Sequence, residues 1–100
     1  MDVDAEIKSV TELCLRLIDR SGAETFRPMV CVPSTRQLSF MMDHEGPAAS
    51  DAVRAWGRRI APEGVEFLVA FQIAANEFQI DALTGSEATT VVFDARGSKK

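Results

Sequence analysis

Bulky apolar residues alternate with small or polar ones over the last third of the chain. Within residues 65–73 every odd position holds valine, phenylalanine or isoleucine, and Phe78 and Ile80 continue the alternation after a short break. A period of two places such residues on one side of a β-strand. The pattern predicts three consecutive strands within residues 65–94, with one side facing a hydrophobic core.

The lengths of the two turns between these strands decide which side chains share a face. A loop of even length between the first two strands would place Phe71 opposite Ile80, so that both face the core. A two-residue turn that contains Gly85, which tolerates the positive φ of tight hairpins, places Val91 opposite Ile80. Both turns give the same buried face, and we therefore expect an antiparallel three-stranded meander.

Two other segments repeat apolar residues at spacings of three and four, which is typical of amphipathic helices. The first covers residues 3–20, and Asp2 or Asp4 can cap its start. The second opens at Pro47, which suits a first-turn position, and is stopped at Pro62. We expect each helix to bury its apolar side against the sheet.

Between the helices, residues 28–32 and 37–43 alternate like a β-hairpin. Its core side would carry Met29, Cys31, Leu38, Phe40 and Met42. The order of elements is then α-β-β-α-β-β-β, which predicts an α+β fold with a five-stranded antiparallel sheet and two helices packed on one face. The sequence does not fix which strand of the hairpin lies beside the meander.

The opposite side of the predicted sheet mixes apolar with polar residues. A sheet face that meets water is normally polar, whereas a partly apolar face is typical of a protein-binding surface. With both helices on the other face, no segment of the chain would cover it; the alternative is that the helices divide between the faces. We expect a partner-binding face formed by Leu68, Ala70, Leu83, Val92, Val30, Val32 and Met41.

Length and charge limit the classes of protein to consider. A chain of 100 residues, 46% hydrophobic and 26% charged, suits one domain, and we expect residues 1–95 to form it and 96–100 to be a flexible tail. A net charge of −4 disfavours a nucleic-acid partner, because phosphate binding needs clustered Lys and Arg. No secretory signal or membrane span is readable, so we expect a soluble cytoplasmic protein with no membrane partner.

Candidate metal ligands and nucleophiles are few. His44 stands between two acidic residues, but adjacent side chains of one loop rarely converge on an ion, and we expect no metal site. Cys14 and Cys31 lie on apolar stripes and are expected to be buried thiols rather than nucleophiles. No phosphate-binding loop, dinucleotide fingerprint or catalytic triad can be recognised, so we expect no cofactor.

The second helix carries the one cluster of cations. Arg54, Arg58 and Arg59 concentrate in its C-terminal half, where the helix dipole favours positive charge. Guanidinium groups one turn apart can bind a carboxylate or a phosphate. They are a weak candidate anion site, and a solvated helix face is the commoner meaning of such a cluster.

The leading hypothesis is a non-enzymatic interaction module, an adaptor, chaperone or inhibitor that binds another protein or itself, as a homodimer, through the non-helix face or an edge of its sheet. The order of elements is similar in outline to the profilin-like and roadblock-type adaptor folds and, more loosely, to small acidic secretion chaperones; no motif of those families matches, so no site is implied. One alternative is a small-molecule sensor with a pocket between the second helix and the sheet, lined by Trp56, Phe40, Met42 and Phe71. Another is a small enzyme of unknown reaction.

Overall fold

The computed structural model describes residues 1–100 and contains two α-helices, five strands and one short 3-10 helix (Ala23–Thr25). The order α-β-β-α-β-β-β predicted from the sequence is confirmed. The elements are α1 (Val3–Ser21), β1 (Met29–Val32), β2 (Gln37–Phe40), α2 (Ser50–Ile60), β3 (Phe67–Ala74), β4 (Glu77–Thr84) and β5 (Glu87–Phe93).

All five strands form one antiparallel sheet in the order β2-β1-β3-β4-β5. The meander therefore lies beside the first strand of the hairpin, which leaves β2 and β5 as the two edges. The predicted register of the last hairpin is confirmed, since Ile80 lies opposite Val91. In the first hairpin Met29 lies opposite Phe40 and Cys31 opposite Leu38, so these four residues share one side of the sheet, as predicted.

The two helices cover opposite faces of the sheet, so the expectation that both pack on one face is wrong. The first core cluster joins the apolar stripe of α1 to Leu68 and Ala70 of β3. The second joins Val53 of α2 to Phe67 and Val69 of the same strand. Neighbouring residues of a strand point to opposite sides, and each side therefore has its own helix and its own core.

A single bulge in β3 explains why the two helices cover opposite faces and not the same one. The pairing of β3 with β4 shifts at Ile73, which is one extra residue in the strand. On the N-terminal side of this bulge Phe71 lies opposite Gln79, whereas the loop length alone predicts that it lies opposite Ile80. A shift of one residue moves every side chain of a strand to the other face. The even residues of β3 consequently face α1 and the odd ones face α2.

The helix termini fit their local sequences. Asp2 caps α1 by accepting a hydrogen bond from the backbone N–H of Ala5 at 3.2 Å, as expected. The second helix begins at Ser50, three residues later than Pro47, because the preceding segment stays extended and Ala48 donates its N–H to the carbonyl of Gln72 at 2.9 Å.

Neither helix combines the length and apolar composition that a membrane-spanning segment requires.

The contact between α2 and the sheet is close at Gly57. A Cβ atom built there would lie 2.7 Å from the ring of Phe67 and 2.8 Å from a methyl group of Val69. The missing side chain therefore lets the helix backbone approach β3 directly. This approach places α2 over β3 and β1. The helix covers less of β4 and β5 on the same face of the sheet.

Residues 96–100, expected to be a flexible tail, fold back along β5 in the structure. Asp94 donates its N–H to the carbonyl of Ser98 at 3.0 Å, and Lys100 donates its N–H to the carbonyl of Val92 at 2.9 Å. Lys99 forms an isolated bridge with Phe93. These bonds cover the C-terminal end of the β5 edge.

Candidate functional site

The residues expected to form a partner-binding sheet face lie mostly in the two cores. Leu68 and Ala70 are buried beneath α1. The side chains buried on the α2 face are Val30, Val32 and Leu83. Met41 and Val92 are half-buried, and Met41 follows β2 instead of lying on a sheet face. The uncovered sheet face therefore does not exist, because each side of the sheet has its own helix.

The exposed apolar surface lies instead at the β2 edge. Leu38 is 43% exposed, Phe40 is 36% exposed and Met42, just beyond the strand, is 71% exposed. Leu38 and Phe40 lie opposite Cys31 and Met29, so their side chains are on the α1 face. The helix α1 packs mainly on β3 and β4, and its contact with β2 is weaker.

The flank of α1 continues this apolar surface. Leu13 and Leu38 both line a groove of about 390 Å³, and Leu17 and Phe40 both line a second groove of about 140 Å³. Leu13 and Leu17 are only partly buried against the core. We call the five side chains together the edge surface, which consists of Leu13, Leu17, Leu38, Phe40 and Met42.

The backbone of β2 adds hydrogen-bonding groups to the edge surface. Met41 donates its N–H to the carbonyl of Pro28 at 2.8 Å, so the backbone groups of Met41 point toward β1. Backbone groups of an antiparallel strand alternate in direction, and Leu38 and Phe40 therefore point their N–H and C=O groups away from the sheet. Apolar side chains and unpaired backbone groups thus occur at the same two residues.

The opposite edge of the sheet is protected in the usual ways. Residues 87–90 of β5 are Glu, Ala, Thr and Thr, all exposed, and the chain end pairs with Val92 and Phe93 at the end of the strand. Charged or polar residues and a covering segment prevent edge-to-edge association. The strand β2 contains no charged residue and no covering segment. The two edges therefore differ in kind, and only β2 resembles a docking edge.

A second polar arrangement lies between α2 and β4. Asp81 is fully buried, and its carboxylate accepts a hydrogen bond from each of four side chains. One oxygen accepts from Gln79 at 2.9 Å and Thr90 at 2.7 Å, and the other accepts from Arg54 at 2.8 Å and Ser50 at 3.3 Å. Every donor comes from this chain, so the cluster is already satisfied without a ligand.

The charges of this cluster stabilise each other. Burial alone raises the pKa of Asp81, but the hydrogen bonds from Arg54, Thr90 and Gln79 and the charge of Arg54 outweigh burial and hold that pKa below its usual value. The hydrogen bond to Asp81 raises the pKa of Arg54. A buried carboxylate held ionised by its neighbours is a structural tie, because it has no proton to give near neutral pH.

The candidate anion site is only partly assembled. Arg54 and Arg58 line one groove of about 380 Å³ near the Gly85 turn, and Arg59 is not among the residues of that groove. Arg54 is already engaged by Asp81, and three glutamates share the groove with the arginines. Their negative charge opposes an anionic ligand, so we do not assign an anion site here.

The cysteines and the histidine form no reactive site. Burial raises the pKa of Cys14, and burial together with the charge of Glu6 raises the pKa of Cys31 to about 11. Both thiols are free. The ring of His44 lies 2.7 Å from the carbonyl oxygen of Pro47. No group of three or more His, Cys, Asp and Glu side chains comes together in the way a metal site requires.

The pocket expected between the second helix and the sheet is not formed by the residues assigned to it. Trp56 and Phe71 pack on the α2 face. Phe40 lies on the α1 face, opposite Met29. The sheet thus separates the proposed walls, and the sensor hypothesis loses the site on which it rested.

No family model, curated protein or solved structure matches this chain. The functional interpretation therefore depends on the edge surface itself.

Proposed function

We propose that this chain is a protein-interaction module that binds a protein partner through its edge surface. One observation carries the proposal. Leu38, Phe40 and Met42 are three of the four large apolar side chains that remain exposed, and they fall within one short segment at an unprotected sheet edge. Clustered apolar exposure of this kind marks interaction sites, whereas isolated exposed apolar residues do not.

The geometry suits the addition of a partner strand to β2. Hydrogen bonds to the free backbone groups of Leu38 and Phe40 supply affinity that is independent of sequence. Side chains of the added strand that point to the α1 face would contact the edge surface and supply specificity. The same geometry gives no support to catalysis, because the edge surface contains no convergent acid, base or nucleophile.

A glutamate at Leu38 tests the proposal. Leu38→Glu places a charge in the middle of the edge surface, and the exposed position of the original side chain allows the fold to survive. Thr89→Glu is the matched control, since Thr89 is exposed on the other edge strand and on the same face, opposite Ala82.

Immobilised wild type, Leu38→Glu and Thr89→Glu are each incubated with an extract of the source cells to which the untagged chain has been added. We expect wild type and Thr89→Glu to retain a protein, the untagged chain included, that Leu38→Glu does not retain. Circular dichroism confirms that all three are folded. Equal retention by the two glutamate variants, or no retention by wild type, would contradict the proposal.

A further inference from the structure

We propose that the partner is a second copy of this chain, paired antiparallel with the first along β2 about a two-fold axis at Ser39. The inference rests on the proposed function, because it assigns an occupant to the same edge surface. Three features of β2 support it: the positions of its free backbone groups, the side chains beside them and the charges at its two ends.

The free backbone groups of β2 are placed symmetrically about Ser39. Leu38 and Phe40 point outward on either side of it. When two β2 strands run antiparallel with Ser39 opposite Ser39, Leu38 of each copy exchanges both of its backbone hydrogen bonds with Phe40 of the other. A register shifted by one residue would set outward groups against inward groups, which form no bonds.

The same register buries the exposed side chains. Leu38 of one copy lies directly opposite Phe40 of the second copy, and both are on the α1 face. Aromatic and aliphatic side chains that lie opposite each other on neighbouring strands stabilise a sheet. The two-fold axis makes this contact twice, so each copy covers the apolar residues that the other exposes.

Charge at the ends of β2 favours the antiparallel arrangement. Arg36 directly precedes the strand, and Asp43 follows it after two residues. Neither side chain has an ion-pair partner in its own chain. With Ser39 opposite Ser39, Arg36 of one copy lies next to Met42 and Asp43 of the second copy at both ends of the interface. The strand between them contains no charge that would oppose the approach.

The opposite edge explains why the assembly would stop at two copies. The pairing joins two five-stranded sheets into one, with β5 at both outer edges. That strand carries polar residues and is paired with residues 98–100 at its end. Polar residues and a covering segment disfavour the addition of a further strand. The interface is therefore isologous and closed, and no fibre is expected.

A cysteine at position 39 tests the register directly. In this register Ser39 of the two copies forms a non-hydrogen-bonded pair with Cα atoms about 4.5 Å apart, which lies within the range of disulfide geometry. Ser34→Cys is the matched control, because Ser34 is exposed in the turn before β2. Cys14 is buried and Cys31 is half-buried, and oxidised wild type measures the contribution of these native thiols.

We expect mild oxidation to convert most of Ser39→Cys into a disulfide-linked dimer, with several-fold less from Ser34→Cys and none from wild type. Light scattering should give wild type the mass of two 10.9 kDa chains and Leu38→Glu the mass of one. Equal crosslinking of the two cysteine variants, or monomeric wild type, would overturn the second copy as partner. If another protein were still lost with Leu38→Glu, the interaction module would stand with a different occupant.

Discussion

The guanidinium Nε of Arg54 lies 2.8 Å from the carboxylate Oδ2 of Asp81, which ties α2 to β4. Asp81 is fully buried, whereas Arg54 is about one-quarter exposed, with 27% of its side chain accessible. A buried carboxylate needs such partners, because removing one leaves charge without full compensation for lost hydration. The position of α2 over the sheet therefore depends on this ion pair as well as on its apolar contacts.

Replacing Arg54 with methionine should destabilise the fold. The charge and the hydrogen bond are lost, but three other donors to Asp81 remain, so we expect the free energy of unfolding to fall by about 1–3 kcal/mol. Urea denaturation followed by circular dichroism measures the change. Arg59→Met is the control, since Arg59 is exposed and has no ion pair, and it should stay within about 0.5 kcal/mol of wild type. Equal losses for the two variants would show that the ion pair does not hold α2.

Stability should fall in acid because of Asp81. Its pKa in the folded chain is lower than in the unfolded chain, so its ionised form stabilises the fold above about pH 4 and loses this effect as pH falls toward the folded pKa. The difference in unfolding free energy between wild type and Asp81→Asn should therefore shrink between about pH 5 and pH 2. Denaturation curves at each pH give this difference. A constant difference would contradict the assignment.

A second carboxylate contributes to the same acid transition and has to be separated from it. Asp94 accepts hydrogen bonds from the backbone N–H groups of Ser98 and Arg96, and these lower its pKa. Its stabilising effect is likewise lost as pH falls. Asp94→Asn should remove part of the acid sensitivity, and the variant with both substitutions should be less sensitive than either alone.

The sequence was sufficient to predict the type and order of the elements, because both depend on local periodicity. It was not sufficient to predict which helix covers which face. That depends on the bulge at Ile73, where one apolar residue in an apolar run carries no local signal. Every side chain of β3 on the N-terminal side of the bulge faces the opposite side from the one the alternation predicts. The two helices therefore cover different faces of the sheet.

The edge surface was missed for a related reason. Their alternation with Met29 and Cys31 predicts that Leu38 and Phe40 face the core, and the register of this hairpin agrees. A pattern reports which side a residue faces, but not whether a helix reaches that far. A helix about 10 Å wide covers two or three strands spaced about 4.8 Å apart, so a five-stranded sheet with one helix per face leaves part of each face uncovered. The Asp81 cluster, which is separate from the edge surface, has a sequence signal: a single carboxylate among the apolar residues of β4 favours a charged partner on the helix that covers that face.

Glutamate substitutions distinguish the cores from the surface. Leu68→Glu buries a carboxylate beneath α1 with no partner and should lower the free energy of unfolding by at least about 4 kcal/mol, enough to unfold many small domains. Val92→Glu should cost about 1 kcal/mol or less, because Val92 is half-buried on the edge strand β5. Circular dichroism and thermal unfolding of the two variants measure the contrast. A folded Leu68→Glu would mean that α1 does not cover this position.

The two thiols should react in a fixed order, with Cys31 ahead of Cys14. Cys14 is fully buried, and burial with the neighbouring Cys31 raises its pKa further than the value of about 11 that burial and Glu6 give Cys31. The thiolate is the reactive form, so at pH 8 both residues should label slowly with iodoacetamide in the folded chain. Peptide mapping by mass spectrometry gives the two rates, and the urea-unfolded chain, in which both should label quickly, is the control. Faster labelling of Cys14 than of Cys31 would contradict this order.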